Sequence, residues 1–159
     1  MAKILVAYFS ASGNTAALAE RLAAATEGEL YEIQPEIPYT DADLNWMDKQ
    51  SRSSIEMNDK AFRPAVIGRV KNMEQYDTIF LGFPIWWYVA PTIINTFLEQ
   101  YDFSGKKIIP FATSGSSGMG DTNKELAPSC PGAVLIEGKR FPANASEKEI
   151  KEWAESCMI

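Results

Sequence analysis

The sequence contains no histidine. That absence removes the Ser–His–Asp and Cys–His modes of nucleophilic catalysis and every metal site built on imidazole. Cysteine is nearly as scarce. Cys130 and Cys157 are the only two, far apart and without a C-x-x-C spacing, so they read as buried or incidental thiols in a reducing compartment. Positive charge is in deficit: 15 Lys and Arg against 21 Asp and Glu leave a formal net charge of −6. Nucleic-acid binders need the opposite, a clustered basic face. An acidic surface favours solubility and can steer a basic partner. No signal-peptide anatomy precedes the first strand pattern. The longest stretch without charge, residues 78–98, is long enough to span a bilayer. However, Gly82, Pro84, Pro91 and two adjacent tryptophans divide it into strand, loop and helix. No membrane span and no nucleic-acid partner are expected, and the expected compartment is the cytoplasm.

What is present is the composition of one globular domain over residues 1–159, with 46% apolar and 23% charged residues. Residues 3–9 are almost continuously apolar, as in a strand covered on both faces of a parallel sheet. A helix follows over 14–26, with Leu18 and Leu22 on one face and Gly28 at the stop position. Further strands are expected at 30–33, 77–83, 106–112 and 133–136, although Pro110 is awkward inside a central strand. Pro91 opens a helix striped by Ile94, Phe97 and Leu98. Ser146 and Glu149 form a capping box for a last helix, whose buried face is Ile150, Trp153, Ala154 and Cys157. This alternation predicts a doubly wound α/β sheet. Residues 35–76 interrupt it with a long polar excursion, expected to hold a helix near 41–57. A connection of that length usually has a function.

Between the first strand and first helix stands Ser10-Ala-Ser-Gly-Asn-Thr15. The first turn of a helix has N–H groups without partners and the positive end of the dipole, so it stabilises an anion. The hydroxyls of Ser10, Ser12 and Thr15 and the amide of Asn14 can add donors, and Gly13 permits close approach. With no Lys in the loop it is not a nucleotide-triphosphatase loop, and it lacks the G-x-G-x-x-G spacing. An ordinary N-cap turn that binds nothing is the competing reading.

Ligands of open parallel sheets sit outside the carboxyl ends of the strands, and two further loops leave from that edge. Residues 84–88, Pro-Ile-Trp-Trp-Tyr, offer flat aromatic surface; residues 113–121, Thr-Ser-Gly-Ser-Ser-Gly-Met-Gly-Asp, offer backbone N–H groups and hydroxyls. Core packing would account for the tryptophans and a surface turn for the glycine-rich loop. Adjacent residues on an extended segment point to opposite sides, however, so at least one of Trp86 and Trp87 is expected to face away from the core. Together the loops describe a ligand with a phosphate tail and a planar polar ring, which flavin mononucleotide (FMN) matches better than a plain nucleotide.

With these residues in view, the chain resembles the flavodoxins, and in particular the short bacterial flavodoxin-like proteins, over essentially its whole length. The resemblance rests on the 10–15 loop (T-x-T-G-N-T is typical), on Tyr76-Asp77 with Gly82-Phe-Pro-Ile-Trp-Trp87, on Phe97-Leu98-Glu99, and on Gly105-Lys106-Lys107 leading to Phe111-Ala-Thr-Ser-Gly115. It implies a five-stranded parallel sheet in the order 2-1-3-4-5 with helices on both faces, and non-covalent FMN. By position, Ser10, Ser12, Gly13, Asn14 and Thr15 would hold the phosphate. Pro84, Ile85, Trp86, Trp87 and Tyr88 would flank the ring, and Thr113, Ser114, Gly115 and Ser116, with Gly120, would close its other side. The sequence departs from the family in two places. The 84–90 loop has no glycine to set beside flavin N5, and the third loop lacks the tyrosine that commonly stacks on the outer flavin face. Response regulators share the topology but need acidic residues where Tyr8-Phe9-Ser10 stand.

The expected function is electron transfer between redox partner proteins, a reductase and an acceptor, by a monomer or weak dimer. No catalytic side chain and no metal ligand is nominated. The alternative is an FMN-dependent NAD(P)H or quinone oxidoreductase, with the 35–76 excursion as a substrate pocket and Tyr88, Arg52 or Glu56 touching substrate. A third reading is a protein-interaction domain without flavin.

Overall fold

The computed structural model describes residues 3–10, 13–45, 47–59, 61–86, 89–113, 120, 122–136, 138–142 and 145–157. Its first strand, β1 (Ile4–Tyr8), lies between β2 (Glu29–Glu32) and a strand from much later in the chain. Two short strands, β3 (Gln34–Pro35) and β4 (Val66–Ile67), form a separate antiparallel ribbon that closes the base of the excursion. The main sheet continues with β5 (Thr78–Pro84), β6 (Lys107–Thr113) and an edge made of β7 (Val134–Leu135) and β8 (Lys139–Phe141). All its pairings are parallel, in the order β2-β1-β5-β6-β7. This is the expected 2-1-3-4-5 arrangement, with the fifth strand in two pieces.

Side-chain alternation along the central strands builds two cores. Leu5, Ala7, Ile79, Leu81, Phe83, Ile108 and Ala112 face one way, against Ile93, Ile94, Phe97 and Leu98 of α3 (Thr92–Leu98). Val6, Phe80, Ile109 and Phe111 face the other way, against Leu18 and Leu22 of α1 (Asn14–Thr26) and Ile150 and Ala154 of α5 (Glu147–Cys157). Each fully buried Leu, Ile or Phe contributes about 1.5–3 kcal/mol, and both faces are covered, as the unbroken apolar runs predict. Among the described residues, no helix is long and apolar enough to cross a membrane.

Pro110 explains the divided edge. Even-numbered residues of β6 turn their backbone groups toward that edge: Val134 N–H donates to the Lys106 carbonyl (2.8 Å) and Ile136 N–H to that of Ile108 (2.9 Å). The next rung would need an N–H at position 110, which proline lacks. The Ile136 carbonyl accepts instead from Asn123 Nδ2 (2.9 Å). The edge then takes one extra residue, since Lys107 faces Val134 whereas Phe111 faces Lys139.

Two local expectations are corrected. The helix near 41–57 reduces to α2 (Arg52–Asn58), capped by Ser51. Ahead of it, Asn45 and Asp48 accept from the N–H groups of Met47 (3.2 Å) and Gln50 (2.9 Å), and such side-chain turns compete with helix. At the end of α1, Glu27 rather than Gly28 takes the left-handed position (φ 57), and the Gly28 N–H closes on the Ala23 carbonyl (3.0 Å). Gly28 sits where space is tight: a Cβ there would meet the Ile4 carbonyl oxygen at 3.2 Å.

Candidate functional site

Because β1, β5 and β6 are neighbours, the segments that follow them leave the carboxyl edge of the sheet side by side. After β1, Phe9 is buried and Ser10 begins the first loop. Gly13 stands at φ 94, a left-handed conformation that glycine enters freely, and starts α1. The Ser10 Oγ accepts the N–H groups of Gly13 (3.0 Å) and Ala16 (3.2 Å). Two donors at a helix start therefore converge on one oxygen, and the hydroxyl still has its own proton to give. The first turn of α1 carries no acidic side chain, so nothing there opposes the dipole's attraction for an anion.

Thr15 and Thr113 join the first loop to the end of β6. Their hydroxyl oxygens are 2.7 Å apart and both residues are buried. Thr113 also pairs with Pro84 across the β5–β6 ladder, and its carbonyl accepts the N–H of Ile85 (3.1 Å). Ser10, Gly13, Thr15, Pro84, Ile85 and Thr113 thus belong to one connected edge. Gly120 is an exposed left-handed residue (φ 53) just ahead of α4 (Thr122–Leu126). Ser12, Trp87, Tyr88, Ser114, Gly115 and Ser116, and the side chain of Asn14, lie outside the described residues.

Trp86 exchanges both backbone hydrogen bonds with Val89 (3.0 and 3.1 Å). Its half-buried indole packs on the rim of the core, edge-on to Phe9 (centroids 5.9 Å apart) and to Tyr39 (5.6 Å). Phe9 and Tyr39 complete the triangle at 5.5 Å. Such edge-to-face pairs contribute about 0.5–1.5 kcal/mol each beyond burial.

Phe9 and Tyr39 were not singled out by the sequence. Phe9 reads there as one more strand residue, and Tyr39 stands in an aperiodic stretch after Pro38. Tyr39 comes from the excursion and is fixed by two residues of α2. Its hydroxyl donates to Glu56 Oε1 (2.5 Å), while Arg52 Nε donates to Glu56 Oε2 (2.8 Å). The Arg52 guanidinium carbon lies 3.8 Å from the centre of the Tyr39 ring. Burial first, and the bond to Glu56 second, push the Tyr39 hydroxyl far above the usual tyrosine range, so it remains a donor. Arg52 and Glu56 are thus bound to each other and to Tyr39. Phe9, Ser10 and Tyr39 also border a cavity of about 320 Å³, lined as well by Glu32, Gln34 and Ile67.

The edge brings together a helix N-terminus, a buried hydroxyl pair and an aromatic cluster. Comparison with known proteins gives the same direction. The flavodoxin family model matches residues 3–157. A protein of Bacteroides eggerthii DSM 20697 classed as a flavoprotein is 48% identical over 100% of this chain and 99% of its own, with a TM-score of 0.93. One of Bacteroides uniformis ATCC 8492, classed likewise, is 51% identical over 97% of this chain and 98% of its own, at 0.91. A flavoprotein of Lactobacillus acidophilus NCFM, solved in complex with FMN, shares the fold at 23% identity and a TM-score of 0.70, over 97% and 99% of the two chains. Among curated proteins no sequence matches.

Proposed function

The chain belongs to the flavodoxin family, and from that premise we propose that it binds FMN at the carboxyl edge of its sheet and carries electrons between redox partner proteins. The observation that carries the reading is the junction of β1 and α1. A left-handed glycine opens a helix of 13 residues with no acidic side chain in its first turn, and an aromatic wall stands beside it. That donor set fits a phosphate ester attached to a flat ring. The FMN complex of the Lactobacillus relative supports the same choice of ligand.

In this reading the phosphate is held by Ser10, Ser12, Gly13, Asn14 and Thr15. Pro84, Ile85, Trp86, Trp87 and Tyr88 bound one side of the ring, and Thr113, Ser114, Gly115 and Ser116, with Gly120, bound the other. Bound FMN supplies the redox chemistry, while the protein supplies orientation and electrostatics. Gly13, with no Cβ and φ 94, leaves room for close approach to the helix N-terminus. The Thr15–Thr113 pair fixes the spacing between the first and third loops. Phe9, Tyr39 and Trp86 exclude water from one flank of the ring position. The proposed setting is the cytoplasm, where Cys130 and Cys157, both free thiols, stay reduced.

Titration of the flavin-free protein with FMN and with riboflavin tests the reading. FMN should bind at least about tenfold more tightly, because only it carries the phosphate. Equal affinities would remove the phosphate assignment, and failure of either flavin to bind would overturn the function.

A further inference from the structure

We propose that Tyr39, locked by Glu56 and Arg52, is a positioning residue that sets the orientation of Trp86 and thereby of the aromatic wall against the flavin ring. The inference rests on the FMN-binding reading above and assigns the long excursion a role in it.

The arrangement uses directional bonds where apolar packing would have sufficed to close a loop. Glu56 is 1% exposed, and a buried carboxylate is unfavourable unless both oxygens find partners. Here one oxygen accepts from the Tyr39 hydroxyl and the other from Arg52. Arg52 Nη1 also donates to the carbonyl of Ile37 (2.5 Å), on the strand of chain that delivers Tyr39. The tyrosine is therefore held at its hydroxyl, over one ring face by the guanidinium, and through its backbone approach. Its ring also makes T-shaped contacts with Phe9 and Trp86. Phe9 is fixed by the sheet, its N–H bound to the Gly82 carbonyl (2.9 Å). Trp86 thus has one rigid neighbour from the sheet and one from the excursion, and its backbone is tied to Val89 by two hydrogen bonds. Removing the Tyr39 hydroxyl loosens the excursion's hold on Trp86 and leaves the sheet's intact. A purely structural knot would affect folding alone; a positioning residue also changes what the flavin experiences.

The test uses full-length Tyr39→Phe and Glu56→Gln proteins beside the wild type. For each, the measurements are FMN affinity, affinity for lumiflavin (the ring without its phosphate tail), the visible circular dichroism of the bound flavin and its reduction potential. Tyr39→Phe keeps the ring and its apolar contacts, so it decides the matter where Glu56→Gln folds poorly. The expected result is a loss of about tenfold in both affinities, with an altered visible dichroism and a shifted potential. Folded variants that match the wild type in affinity, dichroism and potential would overturn the positioning role and leave FMN binding standing. Loss of thermal stability with unchanged flavin properties would do the same. A wild-type protein that takes up no FMN would overturn both.

Discussion

Replacing Thr15 by valine removes one member of the hydroxyl pair and leaves the other stranded. The two oxygens are 2.7 Å apart, and the residues are 1% and 6% exposed, so water cannot readily take the missing partner's place. A buried hydroxyl that loses its partner destabilises by about 1–3 kcal/mol. Thr15→Val and Thr113→Val should each fall in that range. In the double variant neither hydroxyl remains, so its loss should be smaller than the sum of the singles by about 1–3 kcal/mol. Urea unfolding of the flavin-free protein measures this. At a slope of about 2 kcal/mol per molar, a loss of 2 kcal/mol lowers the midpoint by about 1 M. The double variant should unfold at or above the midpoint of the worse single. Single effects that add to within about 0.5 kcal/mol would refute the pairing, and with it the claim that this bond ties the first loop to the third.

Two other perturbations read the scaffold. Gly82→Ala would place a Cβ 2.3 Å from Phe111 Cζ, and that ring is fully buried. Overpacking of this kind destabilises by about 1–3 kcal/mol or more, visible as a lowered melting temperature that Phe111→Leu in the same chain should partly restore. The paired hydrogen bonds from Arg63 hold the Glu99 carboxyl below the usual glutamate range, against partial desolvation and with help from the Ser129 hydroxyl. The folded value is thus below the unfolded one, near 4.3. The pairing stabilises the fold above about pH 4.3 and is lost as pH falls through the lowered value. Arg63→Met should flatten that acid limb of the stability curve and shift neutral-pH stability by no more than about 1 kcal/mol, since the pair is partly exposed. An unchanged acid limb would mean that the carboxyl is held down by something else.

The covered parallel sheet was legible because β1, β5 and β6 are apolar on both faces, whereas its strand order came from the family resemblance. The fifth strand was legible only in its first half. Its continuation, Lys139–Phe141, has two basic residues and a phenylalanine, and the break before it is dictated by Pro110 on a different strand. The helix expected near 41–57, which forms only from Arg52 onward, shows the limit of composition: Asn45 and Asp48 bond to nearby backbone in turns instead. At the site, Ser10, Gly13 and Thr15 announced themselves by spacing after a strand. Tyr39 did not, because its partners Arg52 and Glu56 lie more than a dozen residues onward and its contacts with Phe9 and Trp86 arise only when the excursion folds back.

The measurement that tests the account most directly is the visible spectrum of the purified protein, supplied with FMN, during anaerobic reduction first by NADPH and then by dithionite. The account predicts a bound-flavin spectrum that NADPH leaves unchanged and dithionite bleaches, as in a carrier that takes its electrons from a protein partner. Direct bleaching by NADPH, with no reductase added, would contradict the carrier role and make the protein a reductase. A protein that stays colourless after FMN is added and removed by gel filtration would contradict the account altogether.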